Sequence, residues 1–89
     1  MRATTRIRGR VQGVSYRYFT RRTALELGLS GWVRNLQGGD VEAVFEGSEQ
    51  NIRAMLEWCK QGPAASRVDE ILVDWEDGTG EFDGFEVHR

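Results

Sequence analysis

The chain has 89 residues, 39% of them hydrophobic and 29% charged, a formal net charge of -2 at pH 7 and one cysteine, Cys59. That length suits one compact domain, read as residues 1–89, with a modest core; no stretch is apolar enough to span a bilayer or form a signal core. A single cysteine excludes an intramolecular disulfide and a four-cysteine zinc site, and the slightly negative charge speaks against a dedicated nucleic-acid binder, so a soluble cytoplasmic protein is expected.

Thr5, Ile7, Gly9 and Val11 alternate with Arg6, Arg8 and Arg10, the period of a strand with one buried face. Ser15 then opens a helix running to about Leu27, with Tyr16, Phe19, Thr20, Thr23, Ala24 and Leu27 as its inward stripe and Gly28 as its stop. Ser30–Asn35 and Val41–Glu46 read as strands joined through the glycine-rich Leu36–Asp40 connection. Ser48 starts a second helix with Ile52, Met55, Leu56 and Cys59 on one face, and Gly62-Pro63 ends it. Val68–Trp75 reads as a fourth strand, Asp77–Gly80 as a turn, and Phe85–Val87 as a short final strand. Helices with one apolar side and strands with one apolar face combine as a two-layer α+β sandwich. The predicted fold is ferredoxin-like, an antiparallel βαββαβ sheet with both helices on one face and a short extra C-terminal strand.

The run Gly9-Arg10-Val11-Gln12-Gly13-Val14-Ser15-Tyr16-Arg17 carries the strongest chemical signal. A strand that turns through glycine into a helix start aims successive backbone N–H groups at one spot, where they bind an anion. Arg17 falls in the first helical turn, where the helix dipole opposes a cation; an anion held between amides and guanidinium reverses the sign of that penalty. The plainer reading takes Gly13 as a turn glycine and Arg17 as a solvated surface residue. With strand three inserted between parallel strands one and two, the C-terminal ends of those two strands lie about 10 Å apart on one edge. The Gln12–Arg17 loop and Asn35 then flank one pocket. Asparagine before a glycine-rich connection is commonly a turn former, but its carboxamide also suits orienting a water, which it lacks the basicity to deprotonate.

Other candidate groups read as structural. His88, the only histidine, lies at the chain end on an edge; Cys59 reads as a small buried hydrophobe. The carboxylates Asp69, Glu70, Asp74, Glu76 and Asp77 lack the spacing of a metal site and read as solvated charges, and Trp32, Trp58 and Trp75 as packing residues. Arg6, Arg8 and Arg10 would line an open sheet face, which suggests an RNA- or anion-binding module without catalysis; cross-strand pairing with Glu42 and Glu46 is the more economical account.

Taken together, the Gly9–Arg17 run, Gly31-Trp32-Val33-Arg34-Asn35 with Val41-Glu42, and Trp58-Cys59-Lys60-Gln61-Gly62-Pro63 resemble the signature segments of the acylphosphatases, small ferredoxin-like hydrolases of acyl phosphates, over nearly the whole chain. The resemblance implies that acyl phosphates are hydrolysed to carboxylate and inorganic phosphate, with phosphate also a competitor. It implies that Arg17 holds the phosphate together with the backbone amides of Gln12, Gly13, Val14, Ser15, Tyr16 and Arg17, and that Asn35 positions the attacking water. No metal or other cofactor is expected, and neither a nucleic-acid nor a membrane partner; the protein is expected to be a monomer. Three positions depart from the family pattern: Tyr16 stands where phenylalanine is common, Ser15 where glycine is frequent, and Gln37-Gly38 where a Pro-Asp pair often sits, the last bearing on where Asn35 is held. The implied chemistry is self-consistent, because a carboxylate leaving group of conjugate-acid pKa about 4 departs without a general acid. Phosphoryl transfer then depends on positioning and on neutralising the phosphoryl oxygens.

Overall fold

A computed structural model describes residues 1–88. In chain order it contains β1 (Arg2–Arg10), α1 (Tyr16–Glu26), β2 (Ser30–Asn35), β3 (Val41–Glu46), α2 (Glu49–Gln61), β4 (Arg67–Glu76) and β5 (Phe85–His88). The strands form one sheet in the order β4-β1-β3-β2-β5. β3 is antiparallel to both β1 and β2, so those two run parallel on either side of it and their C-terminal ends share an edge, as expected. The four expected strands pair antiparallel throughout, and the short extra strand adds a parallel pairing, β5 with β2, from Gly31 opposite Phe85 to Arg34 opposite His88. The reason is topological. β4 is antiparallel to β1 and therefore to β2, and a single reversal of the chain after β4 delivers a strand parallel to β2.

β1 begins three residues earlier than the sequence pattern suggests, because Ala3 extends the inward row of Thr5 and Ile7, all fully or almost fully buried. Both helices cover the same face, α1 over β2 and β5 and α2 over β4 and β1. α2 buries Ile52, Met55, Leu56 and Cys59, the stripe read from the sequence. α1 buries a narrower stripe than expected, Tyr16, Thr20 and Ala24, with Phe19, Thr23 and Leu27 only half-buried. Tyr16 joins the helices. Its ring lies 5.6 Å from that of Trp58, and its hydroxyl donates to the Cys59 carbonyl at 2.7 Å. Burial raises the Tyr16 phenol well above its ordinary pKa and pushes the Cys59 thiol up to about 12, which leaves both neutral and fits Cys59's reading as a packed hydrophobe.

Two arginines of the stripe on the opposite face, Arg6 and Arg8, are paired, though with other partners than expected. Arg6 meets Asp40 at 2.8 Å, and Arg8 meets Asp40 and Glu70 at 3.5 and 3.3 Å. Glu42 lies between Arg6 on β1 and Arg34 on β2, and it pairs with Arg34 at 2.6 Å. Glu46, almost fully buried, accepts from Arg2 at 3.0 Å and from the Gly80 amide, and these donors hold its carboxyl below the usual range.

Candidate active site

At the edge shared by the C-terminal ends of β1 and β2, a pocket of about 210 Å³ is lined by Val11, Gly13, Ser15, Tyr16, Arg17, Tyr18, Asn35 and Val87. The topology thus brings Arg17 and Asn35, distant in sequence, to one cavity. Four of the predicted phosphate-binding residues, Gly13, Ser15, Tyr16 and Arg17, line it directly. Gln12 and Val14 do not, and their side chains have other tasks. The Gln12 amide donates to the carbonyls of Leu36 and Asp40 at 2.7 and 2.9 Å, tying the loop to the β2–β3 connection. Val14 points into a separate apolar groove with Phe19 and Trp58.

The loop backbone is shaped for an anion. Gly13 has φ of 74° and Ser15 of 62°, while Val14 between them has no positive φ. A left-handed residue at every second position turns consecutive N–H groups toward the same side, a nest. Among the described residues, no backbone N–H from Gln12 to Arg17 meets an intramolecular acceptor. Glycine takes its left-handed conformation freely, whereas serine is strained there by roughly 1 kcal/mol. Ser15 therefore occupies the N-cap position predicted for it without making the expected cap: its side chain accepts no N–H from the helix. Among the described residues the pocket lining contains no acidic side chain, and the first turn of α1 has none either. Uncapped N–H groups, the positive end of the helix dipole and Arg17 thus meet at the pocket with no acidic side chain of the described residues to offset them.

Arg17 is held by the far end of the chain. Its Nη1 donates to the His88 carbonyl at 3.0 Å, leaving its other N–H groups unassigned to that bond. Asn35 ends β2, directly opposite Val41 on β3. Beyond it, the Leu36 amide donates to the Asp40 carbonyl at 2.7 Å, and the Gly39 amide to the Leu36 carbonyl at 3.3 Å. These bonds close the Gln37-Gly38 connection, and Asn35 reaches the pocket despite that departure. Among the described residues its buried Oδ1 meets no hydrogen-bond donor.

Sequence reasoning missed the contribution of β5. Val87 lines the pocket and the His88 carbonyl accepts from Arg17, while the His88 ring stacks on Trp32 at 5.3 Å and does not line the pocket. The alternation of Phe85 and Val87 was the available signal for a wall residue; a backbone acceptor has no sequence signature. A larger basin, about 580 Å³, lies among Arg8, Arg10, Arg67, Asp40, Asp69 and Glu70. There Arg8 and Arg67 already have carboxylate partners, Arg67 bonding Asp69 at 3.0 Å, so it is the weaker candidate for an anion. Among the described residues, no three His, Cys, Asp or Glu side chains are grouped so as to hold a metal ion, and no helix is long and apolar enough to cross a membrane.

Residues 3–87 match the family model described as acylphosphatase. The chain is similar to an acylphosphatase of Geobacter sulfurreducens, 48% identical over 87 residues that cover 98% of this chain and 96% of the relative. It is also similar to one of Roseiflexus sp., 51% identical over 86 residues covering 97% and 92%. Among solved structures it superimposes on acylphosphatase from Bacillus subtilis with a TM-score of 0.95 at 33% identity, covering 99% of this chain and 98% of that one.

Proposed function

The chain belongs to the acylphosphatase family and is a hydrolase acting on acyl phosphates, and on that premise we propose how its residues divide the reaction. The phosphoryl group lies in the Gln12–Arg17 loop, its oxygens bonded by the unpartnered backbone N–H groups and by Arg17. Asn35 holds a water for direct attack on phosphorus. The bond from phosphorus to the acyl oxygen breaks, the carboxylate leaves with the electron pair, and no phosphoenzyme forms. Among the described residues no carboxylate or imidazole side chain lines the pocket, and in this reading a phosphate oxygen takes the water's proton. The reaction in this form uses no metal, and inorganic phosphate competes for the same loop.

The observation that carries the division of labour is that Asn35, whose buried Oδ1 meets no donor among the described residues, lines the same cavity as Arg17. An acceptor left without a donor inside a protein costs about 1–3 kcal/mol, and a bound water removes that cost by donating to it. The same reading treats the enzyme as one domain acting as a cytoplasmic monomer without nucleic-acid partners. It is supported by a pocket that brings Arg17 and Asn35 of one chain together and by the pairing of Arg6 and Arg8 with carboxylates.

Asn35→Ala tests the assignment. Assayed on an acyl phosphate with chelator present, turnover should fall about a hundredfold or more, with phosphate affinity and thermal midpoint near wild type, because the lost contact belongs to the nucleophile. A variant that hydrolyses normally removes Asn35 from the site.

A further inference from the structure

We propose that Arg21, which does not line the pocket, is a positioning residue for Arg17: the two arginines clamp β5 against α1, so that the seating of β5 and the aim of Arg17 form one equilibrium, which an anion in the loop displaces toward the seated state. The inference rests on the reading that Arg17 binds the phosphoryl group.

Arg17 and Arg21 are four residues apart on α1 and therefore project from the same face, one turn apart. Like charges at this spacing disfavour a helix by a few tenths of a kcal/mol, and among the described residues neither arginine is paired with a carboxylate. Both are used on β5 instead. Arg21 Nε donates to the Phe85 carbonyl at 3.0 Å, and Arg17 Nη1 donates to the His88 carbonyl at 3.0 Å. The two bonds hold the first and last residues of a four-residue strand.

That strand needs holding. β5 lies at the sheet edge, pairs only with β2, and is the shortest strand of the molecule. Short edge elements are the first to open locally. Yet β5 gives the pocket both a wall, Val87, and the carbonyl that orients Arg17. When β5 lifts away, Arg17 loses its bond to the His88 carbonyl, and the guanidinium must be ordered anew whenever phosphate binds. Arg21 favours the seated strand without touching the substrate. By linkage, an anion that binds the seated form more tightly must itself favour seating.

Backbone hydrogen exchange with inorganic phosphate as probe, combined with kinetics, tests this. In the wild type, phosphate should slow exchange of the Phe85–His88 amides. Arg21→Ala should exchange faster there without phosphate and recover wild-type protection at saturating phosphate. It should raise KM and the phosphate inhibition constant about fivefold, while kcat stays within about twofold, because saturating substrate reseats the strand. Arg21→Lys, which keeps a charged donor, should recover part of the loss. A folded Arg21→Ala with unchanged KM and phosphate affinity overturns the inference, as does a β5 whose exchange ignores phosphate. Arg17→Ala separates the two levels. If it still binds phosphate as the wild type does, the underlying reading of Arg17 fails; if it loses phosphate while Arg21→Ala is unaffected, only the clamp fails.

Discussion

The two helices are each preceded by a serine and are built on opposite principles. Ser48 precedes α2 in an extended conformation, φ −68° and ψ 147°, and its hydroxyl accepts the Asn51 amide at 3.1 Å. Glu49 stands in the first turn of α2 and Lys60 in the last, so both ends complement the helix dipole. Ser15 precedes α1 in the left-handed region and caps nothing; no acid follows it, and the charge in the first turn is Arg17. A serine cap contributes about 1 kcal/mol, and each well-placed terminal charge about 0.3–1 kcal/mol. α2 uses these contributions. α1 forgoes them, and what it gains is a concentration of unsatisfied positive groups at the mouth of a pocket. The difference teaches that α2 completes its N-terminus with its own side chains while α1 leaves its own open, which supports the proposal that a ligand completes it.

Substitutions at the two starts should break this contrast unequally. The largest effect belongs to Arg17→Ala, for which kcat/KM on an acyl phosphate should drop by about a hundredfold or more, the scale for losing a preorganised donor. Its stability should change by no more than about 1 kcal/mol, since relief of the dipole opposes loss of the bond to β5, and thermal unfolding beside the steady-state assay measures both. Next is Ser48→Ala, which should cost about 1 kcal/mol in thermal or denaturant unfolding while leaving kcat/KM at the wild-type value. The same change at the other helix, Ser15→Ala, should alter stability by only a few tenths of a kcal/mol. No cap bond is there to lose, and alanine is strained in the left-handed region about as serine is. If Ser15→Ala cost as much as Ser48→Ala, α1 would be an ordinary capped helix and the contrast would be void.

Much of this was legible in the residues. The helical spacing of Ile52, Met55, Leu56 and Cys59, and the alternation along β1, follow from periodicities that tertiary packing did not override. The placement of β3 between β1 and β2 followed from the two-layer logic, and with it the meeting of the Gly9–Arg17 run and Asn35. The left-handed Ser15 was not predicted, because a serine hydroxyl commonly caps a helix, as Ser48 caps α2; the family's frequent glycine at that position was the available signal. The parallel pairing of β5 was hidden for a similar reason, since four residues carry an alternation but no direction. The partners of the arginine stripe escaped because Glu42 lies between two arginines, and side-chain reach rather than strand order decided which it met. The bonds from Arg17 and Arg21 to β5 end on backbone carbonyls, which every residue possesses and no pattern marks.

The central claim is that an oxyanion completes the start of α1, and titrating thermal stability with inorganic phosphate tests it most directly. A ligand that binds only the folded state at a hundred times its dissociation constant adds about 2.7 kcal/mol to stability. The wild type and Asn35→Ala should both show that gain as a rising thermal midpoint, and Arg17→Ala at the same phosphate concentration should lose most of it. Equal stabilisation of Arg17→Ala and the wild type would contradict the account, because the anion would then be held somewhere other than the first turn of α1.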